Sequence, residues 1–499
     1  MKPNILFICT DQQRRAAMGF WHKDEYRDSL LGAPDPVHTP NLDALADESI
    51  VVSEAYSSYP VCSPFRAMLF SGRYPEDNGV WQNCCPNRSD ELRGDIPTFT
   101  DLLSDNGYSV GYVGKWHLEN PRSDFDREGN YIPDRDTYVG ERFYADGSPD
   151  GAPTCWDTLI PKDRQRKIDY LYAYNTYDVF RYKTGDDPRK LPRLFDKDYK
   201  RHSPSPGEWS PDFETDIAIS FLNNASGERD GNKPFALFVN YNPPHSPYES
   251  REDTDYEAYD RFYSNASARD RLPQRDNVTL SSPEFEERAR VYFSHVSGID
   301  RCVGRLLNAL DGIDQRDNTI VVYTSDHGEM LGSHGLMSKN VPYEEATAIP
   351  FILRYPDKIQ HRIEPLFLSP VDIMPTILGL SGINSDGLNL AAGEDFSSLL
   401  VSGDGKRPIS VPFIQMKRKG VRTEKYLFTV SYKSESEYGE ILLFDIKNDP
   451  YQISNLAVSD IPEDELLILR KHLGVWLKKS NDPWYKKRLY SDIIIYPEE

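Results

Sequence analysis

Asn4-Ile5-Leu6-Phe7-Ile8-Cys9-Thr10 is an almost unbroken apolar run that ends on the polar pair Asp11-Gln12. Apolar side chains occupy both alternating sets of positions, so a strand here buries both of its faces. Strands of that kind belong to parallel sheets with helices above and below. The pattern recurs downstream in Tyr108–Val113, Phe235–Asn240 and Thr319–Thr324. Between these strands lie helical signals. Thr39-Pro40 offers an N-cap and a proline at the first helical position, followed by Leu42, Leu45 and Ala46 at helical spacing. Pro97–Leu103 is a short helix that stops at Asn106-Gly107, and a long one is expected over 284–310, with Val296, Ile299, Val303, Leu306 and Leu310 on one stripe. The expectation is a large α/β sandwich, a central, mostly parallel β-sheet flanked by helices.

A chain of 499 residues exceeds one small core and suits one large domain with a smaller one. Gly, Ser and Asp are frequent over 385–408, which places the large domain at 1–390. Gly420–Tyr432 and Ile441–Asp445 read as strands and Glu463–Lys478 as a helix, giving a C-terminal α+β subdomain at 405–499. The stretch 120–230 is rich in Asp, Arg, Pro and Tyr with weak periodicity. It is expected as long loops covering one end of the sheet, with Trp156, Tyr170, Tyr172, Tyr174, Tyr177 and Tyr182 either packed on one another or available to stack on a sugar or aryl group.

A formal net charge of −21 argues against nucleic acid as a partner. It does not exclude an anionic substrate, because charges beyond a Debye length of ~8 Å are screened and the local charge of the pocket decides. No apolar run approaches the ~20 residues of a membrane helix. Ile5–Cys9 lacks the basic flank and small-residue cleavage site of a signal peptide. The location expected is cytoplasmic, or periplasmic or secreted had an export signal been removed. The six cysteines form neither metal-type CxxC pairs nor a dense disulfide pattern. Cys9 and Cys302 sit in apolar patterns and read as core.

Polar clusters fall where strands end: Asp11-Gln12 after the first, Lys115 and His117 after the second, His245 after the third, Asp326-His327 after the fourth. In open parallel sheets, ligands bind beyond the carboxyl ends of the strands. These residues are far apart in sequence yet are expected to converge at one edge. A further segment, Cys62-Ser63-Pro64-Phe65-Arg66, continues to Ser71-Gly72-Arg73. Pro64 suits the start of a helix, which puts the side chain of residue 62 where N–H groups and the helix dipole favour an anion.

Cys62-x-Pro64-x-Arg66 resembles the signature of the sulfatase family, the motif that formylglycine-generating enzymes act on. Asp11-Gln12, Gly114-Lys115-Trp116-His117, Pro244-His245-Ser246-Pro247 and Ser325-Asp326-His327-Gly328-Glu329, running through His334-Gly335 to Lys339, match further family motifs in the family's order. Leu443-Phe444-Asp445 with Asn448-Asp449-Pro450 resembles its C-terminal subdomain. The resemblance covers nearly the whole chain, is weakest in 120–230, and implies an alkaline-phosphatase-like fold.

The resemblance implies that Cys62 becomes formylglycine and acts as nucleophile. It further implies that Asp11, Gln12, Asp326, His327 and the modified residue 62 hold one divalent cation, Ca²⁺ first and Mg²⁺ or Mn²⁺ as alternatives. Many relatives have Asp where this chain has Gln12, so the site here has one fewer carboxylate and less negative charge, and many have Asn where it has His327, whose imidazole makes Mn²⁺ or Mg²⁺ harder to exclude. Lys115 and Lys339 would stabilise the sulfuryl oxygens and His245 would protonate the leaving oxygen. His117 would help expel sulfate, and Arg66 would hold residue 62 in place. Asn83 and His334 are further candidates for substrate contact. The expected activity is hydrolysis of a sulfate ester, on a sulfated small molecule or oligosaccharide. A phosphonate monoester or phosphodiester hydrolase, or a silent sulfoglycan-binding protein, are the alternatives. Oligomeric state is not encoded in these signals.

Overall fold

The computed structural model describes residues 2–85, 88–133, 137–144, 147–151, 160–175, 180–181, 194–264, 275–384 and 392–498. Among them, ten strands form one sheet: β1 (Asn4–Asp11), β2 (Ile50–Val52), β3 (Ser109–Lys115), β4 (Tyr170–Tyr174), β5 (Leu194–Asp196), β6 (Arg201–His202), β7 (Phe235–Pro244), β8 (Thr319–Ser325), β9 (Phe351–Arg354) and β10 (Arg362–Glu364). Their order is β10-β2-β9-β8-β1-β7-β3-β4-β5-β6. β8, β1, β7, β3 and β4 pair in parallel, and antiparallel strands extend the sheet on both sides.

β1 is central, and its alternation decides the two cores. Ile5, Phe7 and Cys9 enter one apolar cluster with Phe65, Leu69 and Phe70 of the Cys62–Ser71 helix and Ile373 and Ile377 of the Pro370–Leu380 helix. Leu6 and Ile8 enter the other, with Ala218 and Phe221 of the Ser210–Asn223 helix and Ile299, Val303, Leu306 and Leu310 of the Pro283–Gly312 helix. Each such fully buried aliphatic side chain contributes ~1.5–3 kcal/mol by leaving water. The long helix thus falls within two residues of its expected bounds at each end, and Cys9 and Cys302 are buried core residues.

Thr39 precedes the Pro40–Ala46 helix as expected but makes no side-chain cap; its hydroxyl accepts the Gly19 N–H and donates to Asp43 instead. The 120–230 stretch is not made of loops alone. It contains β4, β5, β6 and the Ser210–Asn223 helix. The helix escaped notice because two positions on its buried face are Glu214 and Thr215, so the stripe is not apolar. Tyr170 and Tyr172 stack on each other, Tyr170 also on Phe221, and Tyr174 is fully buried, so these three are packing residues. Trp156, Tyr177 and Tyr182, like 385–391 of the expected boundary, lie outside the described residues.

A second, antiparallel sheet consists of β11 (Ser410–Gln415), β12 (Arg418–Thr423), β13 (Tyr426–Ser434) and β14 (Glu437–Asp445). The Glu463–Lys479 helix packs on it through Leu469, Leu473 and Leu477. The expected single strand Gly420–Tyr432 is a hairpin. Its turn at Glu424-Lys425 carries no Gly, Pro or Asn, and the Thr423 hydroxyl closes it by accepting the Tyr426 N–H. Among the described residues, no helix is long and apolar enough to cross a membrane.

Gly114 ties the fold to the strand ends. Its φ is +102°, and a Cβ there would stand 2.2 Å from the Asn240 carbonyl oxygen on β7. Gly114→Ala is expected to cost at least ~2 kcal/mol through left-handed strain and this clash. A lowered denaturation midpoint with an unchanged m-value would register it, and an unaltered midpoint would refute it.

Candidate active site

The carboxyl ends of β1, β3, β7 and β8 meet the amino end of the Cys62–Ser71 helix. Asp11, Cys62, Arg66, Lys115, Asp326 and His327 are all buried there. One side-chain donor atom each from Asp11, Cys62, Asp326 and His327 lies within 4.8 Å of the other three. The Cys62 Sγ is 3.3 Å from His327 Nε2 and 3.7 Å from Asp11 Oδ1. His327 Nε2 is 3.4 Å from Asp11 Oδ1 and 3.5 Å from Asp326 Oδ1.

Arg66 and Lys115 oppose this negative charge. The Arg66 guanidinium donates to Asp326 Oδ2 at 3.2 Å, to the Lys115 carbonyl at 3.0 Å and to Asn240 Oδ1 at 3.2 Å. Lys115 Nζ donates to Asp11 Oδ2 at 2.5 Å and to Asn242 Oδ1 at 2.9 Å. Burial penalises the Asp11 carboxylate, but Lys115 and the neighbouring histidines outweigh it and hold its pKa well below the ordinary value. Burial and the Asp11 charge push Asp326 up. Burial also disfavours the Lys115 ammonium, yet Asp11 keeps it charged.

The donor set fits a divalent cation. His327 Nδ1 lies 3.1 Å from the Gly328 carbonyl oxygen; donating its proton there leaves Nε2 as a lone pair among carboxylate oxygens and a sulfur. Burial lowers the His327 pKa, so the imidazole is neutral. A lone pair and two like-charged carboxylates directed at one point repel one another, and a cation between them relieves all three contacts.

Gln12 adjoins the cluster with φ +72°, and its N–H donates to Asp326 Oδ1 at 3.1 Å. Its side-chain oxygen accepts from Lys339 Nζ at 2.5 Å and its amide nitrogen donates to Glu329. Glu329 is fully buried and also accepts from Tyr248 and from the N–H groups of Leu331 and Ser338. It therefore fixes which end of the Gln12 amide faces Lys339. His245 follows β7 between two cis prolyl bonds, with Nδ1 2.8 Å from the Ser246 carbonyl. Burial, then Lys339, keeps its pKa well below the ordinary value. His117 has φ +55°, and its buried Nδ1 has no hydrogen-bond partner among the described residues; burial and Lys115 keep it neutral.

Asn83 stands beside the start of the Cys62 helix, its Oδ1 accepting the Ser63 N–H at 3.1 Å. His334 makes its contacts elsewhere, stacked on Tyr343 at 4.0 Å and beside Asn277. Asn240, Asn242 and Glu329 carry site contacts that sequence reading missed. Two asparagines at alternate positions of an otherwise apolar strand were the available signal, and Glu329 stood inside a motif already quoted.

Arg66→Ala would leave Asp326 and Asp11 buried with one cation fewer. A loss of ~3–5 kcal/mol is expected. Arg66→Lys should recover only part, since one ammonium cannot span Asp326, the Lys115 carbonyl and Asn240. Urea denaturation of both variants checks the ranking.

Residues 3–383 match the family model described as Sulfatase. The chain is similar to an endo-4-O-sulfatase of Bacteroides thetaiotaomicron, 36% identical over 99% of this chain and 95% of the relative. It is also similar to an ulvan-active sulfatase of Formosa agariphila, 30% identical over 96% and 81%. A solved structure from work on the metabolism of multiple glycosaminoglycans by Bacteroides thetaiotaomicron superposes with a TM-score of 0.89 at 35% identity, covering 99% of this chain and 100% of that one.

Proposed function

The chain belongs to the sulfatase family, and from that premise we propose that it hydrolyses the sulfate ester of a sulfated carbohydrate with Cys62 as the source of the nucleophile. The observation that carries the reading is the meeting of Asp11, Lys115, Asp326 and His327, from three strand ends, at the side chain of Cys62. An endo-4-O-sulfatase and an ulvan-active sulfatase as full-length relatives support a saccharide substrate. The 4-O position is the first to test.

Asp11, Asp326, His327 and residue 62, with Gln12 beside them, are the residues that would hold the cation. The oxygen-rich donor set favours Ca²⁺, while one imidazole and one neutral amide leave Mg²⁺ and Mn²⁺ within reach. When bound, the cation supplies positive charge to the sulfuryl oxygens and lowers the pKa of an oxygen nucleophile. Oxidation of Cys62 to formylglycine by the maturating enzyme, followed by addition of water to the aldehyde, would supply that oxygen as a hydroxyl of the hydrate in place of a thiol. Lys115 and Lys339 bind the remaining sulfuryl oxygens as charge shifts to the leaving group. His245, tied through Nδ1 to Ser246, exchanges a proton with the leaving oxygen through Nε2, and the charge of the bound sulfate favours its protonated form. His117 takes a proton during release of sulfate. Arg66 orients Asp326 and the end of β3.

Cys62 is 1% exposed and Arg66 0%, so a formylglycine-generating enzyme would reach the motif only before the chain folds. No residue of the constellation is missing, which leaves a silent binding protein without support.

Cys62→Ala is expected to abolish turnover of 4-nitrophenyl sulfate and of 4-O-, 6-O- and 2-O-sulfated saccharides. Peptide mass spectrometry of protein from its natural host should find residue 62 converted, and metal analysis should find one equivalent of divalent cation. A larger kcat/KM on an aryl phosphodiester than on the aryl sulfate would overturn the proposed reaction.

A further inference from the structure

Away from the constellation, the described residues line an open pocket of about 610 Å³, within the ~300–1,000 Å³ span of small-molecule sites. Its wall includes Phe125, Asn130, Tyr131, Phe195, Tyr199 and Arg201. The Tyr131 and Tyr199 rings lie 4.1 Å apart, Phe125 and Phe195 lie 6.0 Å apart, and the Arg201 guanidinium sits 5.8 Å over Phe195. Aromatic faces edged by amide and guanidinium donors suit a sugar ring. The C–H face of the sugar stacks, its hydroxyl oxygens meet the donors, and its hydroxyl protons meet the Asp126 and Glu128 carboxylates of the same wall, Asp126 also accepting from the Asn130 amide at 3.0 Å.

The sheet register fixes where this cavity stands. Gly114 pairs with Ala173, Ala173 with Phe195, and Phe195 with Arg201. This row starts one residue before Lys115 and crosses three strand spacings, roughly 14 Å in all. Residues paired in a row share a face of the sheet. Ala173 belongs to the apolar cluster of Phe65 and Phe70, so Phe195 stands on the face that carries the Cys62 helix. The segment bearing Phe125 and Tyr131 is the one that leaves His117.

We propose that this cavity is a glycan subsite, holding a sugar unit of the same oligosaccharide whose sulfate ester lies against Cys62. The inference rests on the sulfated-carbohydrate reading above and adds that the substrate is recognised as a chain. It assigns Tyr131 to stacking and Asn130 and Arg201 to hydrogen bonding.

The test compares 4-nitrophenyl sulfate, a 4-O-sulfated monosaccharide and the matching 4-O-sulfated tetrasaccharide on the intact protein. Tyr131→Ala is expected to lower kcat/KM for the tetrasaccharide relative to the aryl sulfate by about tenfold, the loss of one stacked ring. The change should fall mainly on KM, and Tyr131→Phe should restore most of it. Asn130→Ala, at an exposed position, should move the same ratio in the same direction. A constant ratio, or an equal fall on both substrates, overturns the subsite. A second readout needs no turnover: calorimetric binding of the desulfated tetrasaccharide to Cys62→Ala protein, lost when Tyr131→Ala is added. If the wild type hydrolyses no sulfate ester, the sulfatase reading fails, while this titration still decides the cavity. Binding unaffected by Tyr131→Ala refutes it.

Discussion

Two carboxylates, Asp11 and Asp326, are buried on adjacent strands and both approach the same imidazole nitrogen. Like charges so placed repel strongly at low dielectric. The surroundings are arranged to tolerate this. Arg66 enters from the helix on one face, Lys115 from β3, and the Gln12 N–H from the end of β1. The β1–β7 register shifts after Thr10, where β7 carries two extra residues, so Asp11 stands opposite Pro244 and not in simple register. Left-handed backbone at Gln12 and His117 turns the chain away at the moment it leaves the sheet. Such conformations persist where packing over-determines them. The polar cluster is therefore supported by the most deeply buried part of the molecule, which keeps its geometry fixed without substrate.

That arrangement explains why much of the site was legible. A strand buried on both faces shows itself as an unbroken apolar run, and a charged residue at its end has little structural reason to be there. Asp11, Lys115 and Asp326 stood out for this reason, whereas Cys62 stood out through the Cys62-x-Pro64-x-Arg66 motif. The residues that escaped were those whose role depends on a partner. Glu329 matters because Gln12, Tyr248 and two backbone N–H groups converge on it. Nothing local distinguishes it from any glutamate. Asn240 and Asn242 were absorbed into a strand pattern that their neighbours dominate.

The fold outside the parallel core was harder to read, for different reasons at each place. The Ser210–Asn223 helix buries Glu214 and Thr215, and the Thr215 hydroxyl meets the Tyr241 hydroxyl at 2.6 Å. Polar residues on a buried face hide the periodicity that sequence reading relies on. The β12–β13 turn has no residue that favours a reversal, so two strands merged into one. The row Gly114–Ala173–Phe195–Arg201 exists only because three short strands align, and two of them are too brief to show any alternation.

The loop that carries Lys339 is gripped from both sides. Asn340 donates its N–H to the Pro60 carbonyl near the start of the Cys62 helix, and its own carbonyl accepts from Gln415 at 2.7 Å, on the first strand of the small antiparallel sheet. Ile414 of that strand donates to Ser58. The C-terminal sheet thus braces the loop that carries Lys339 and cannot be treated as a detachable appendage. Chimeras that exchange this sheet between homologous chains would shift the ammonium's support along with the graft, so turnover of every sulfate ester should change together with the tail.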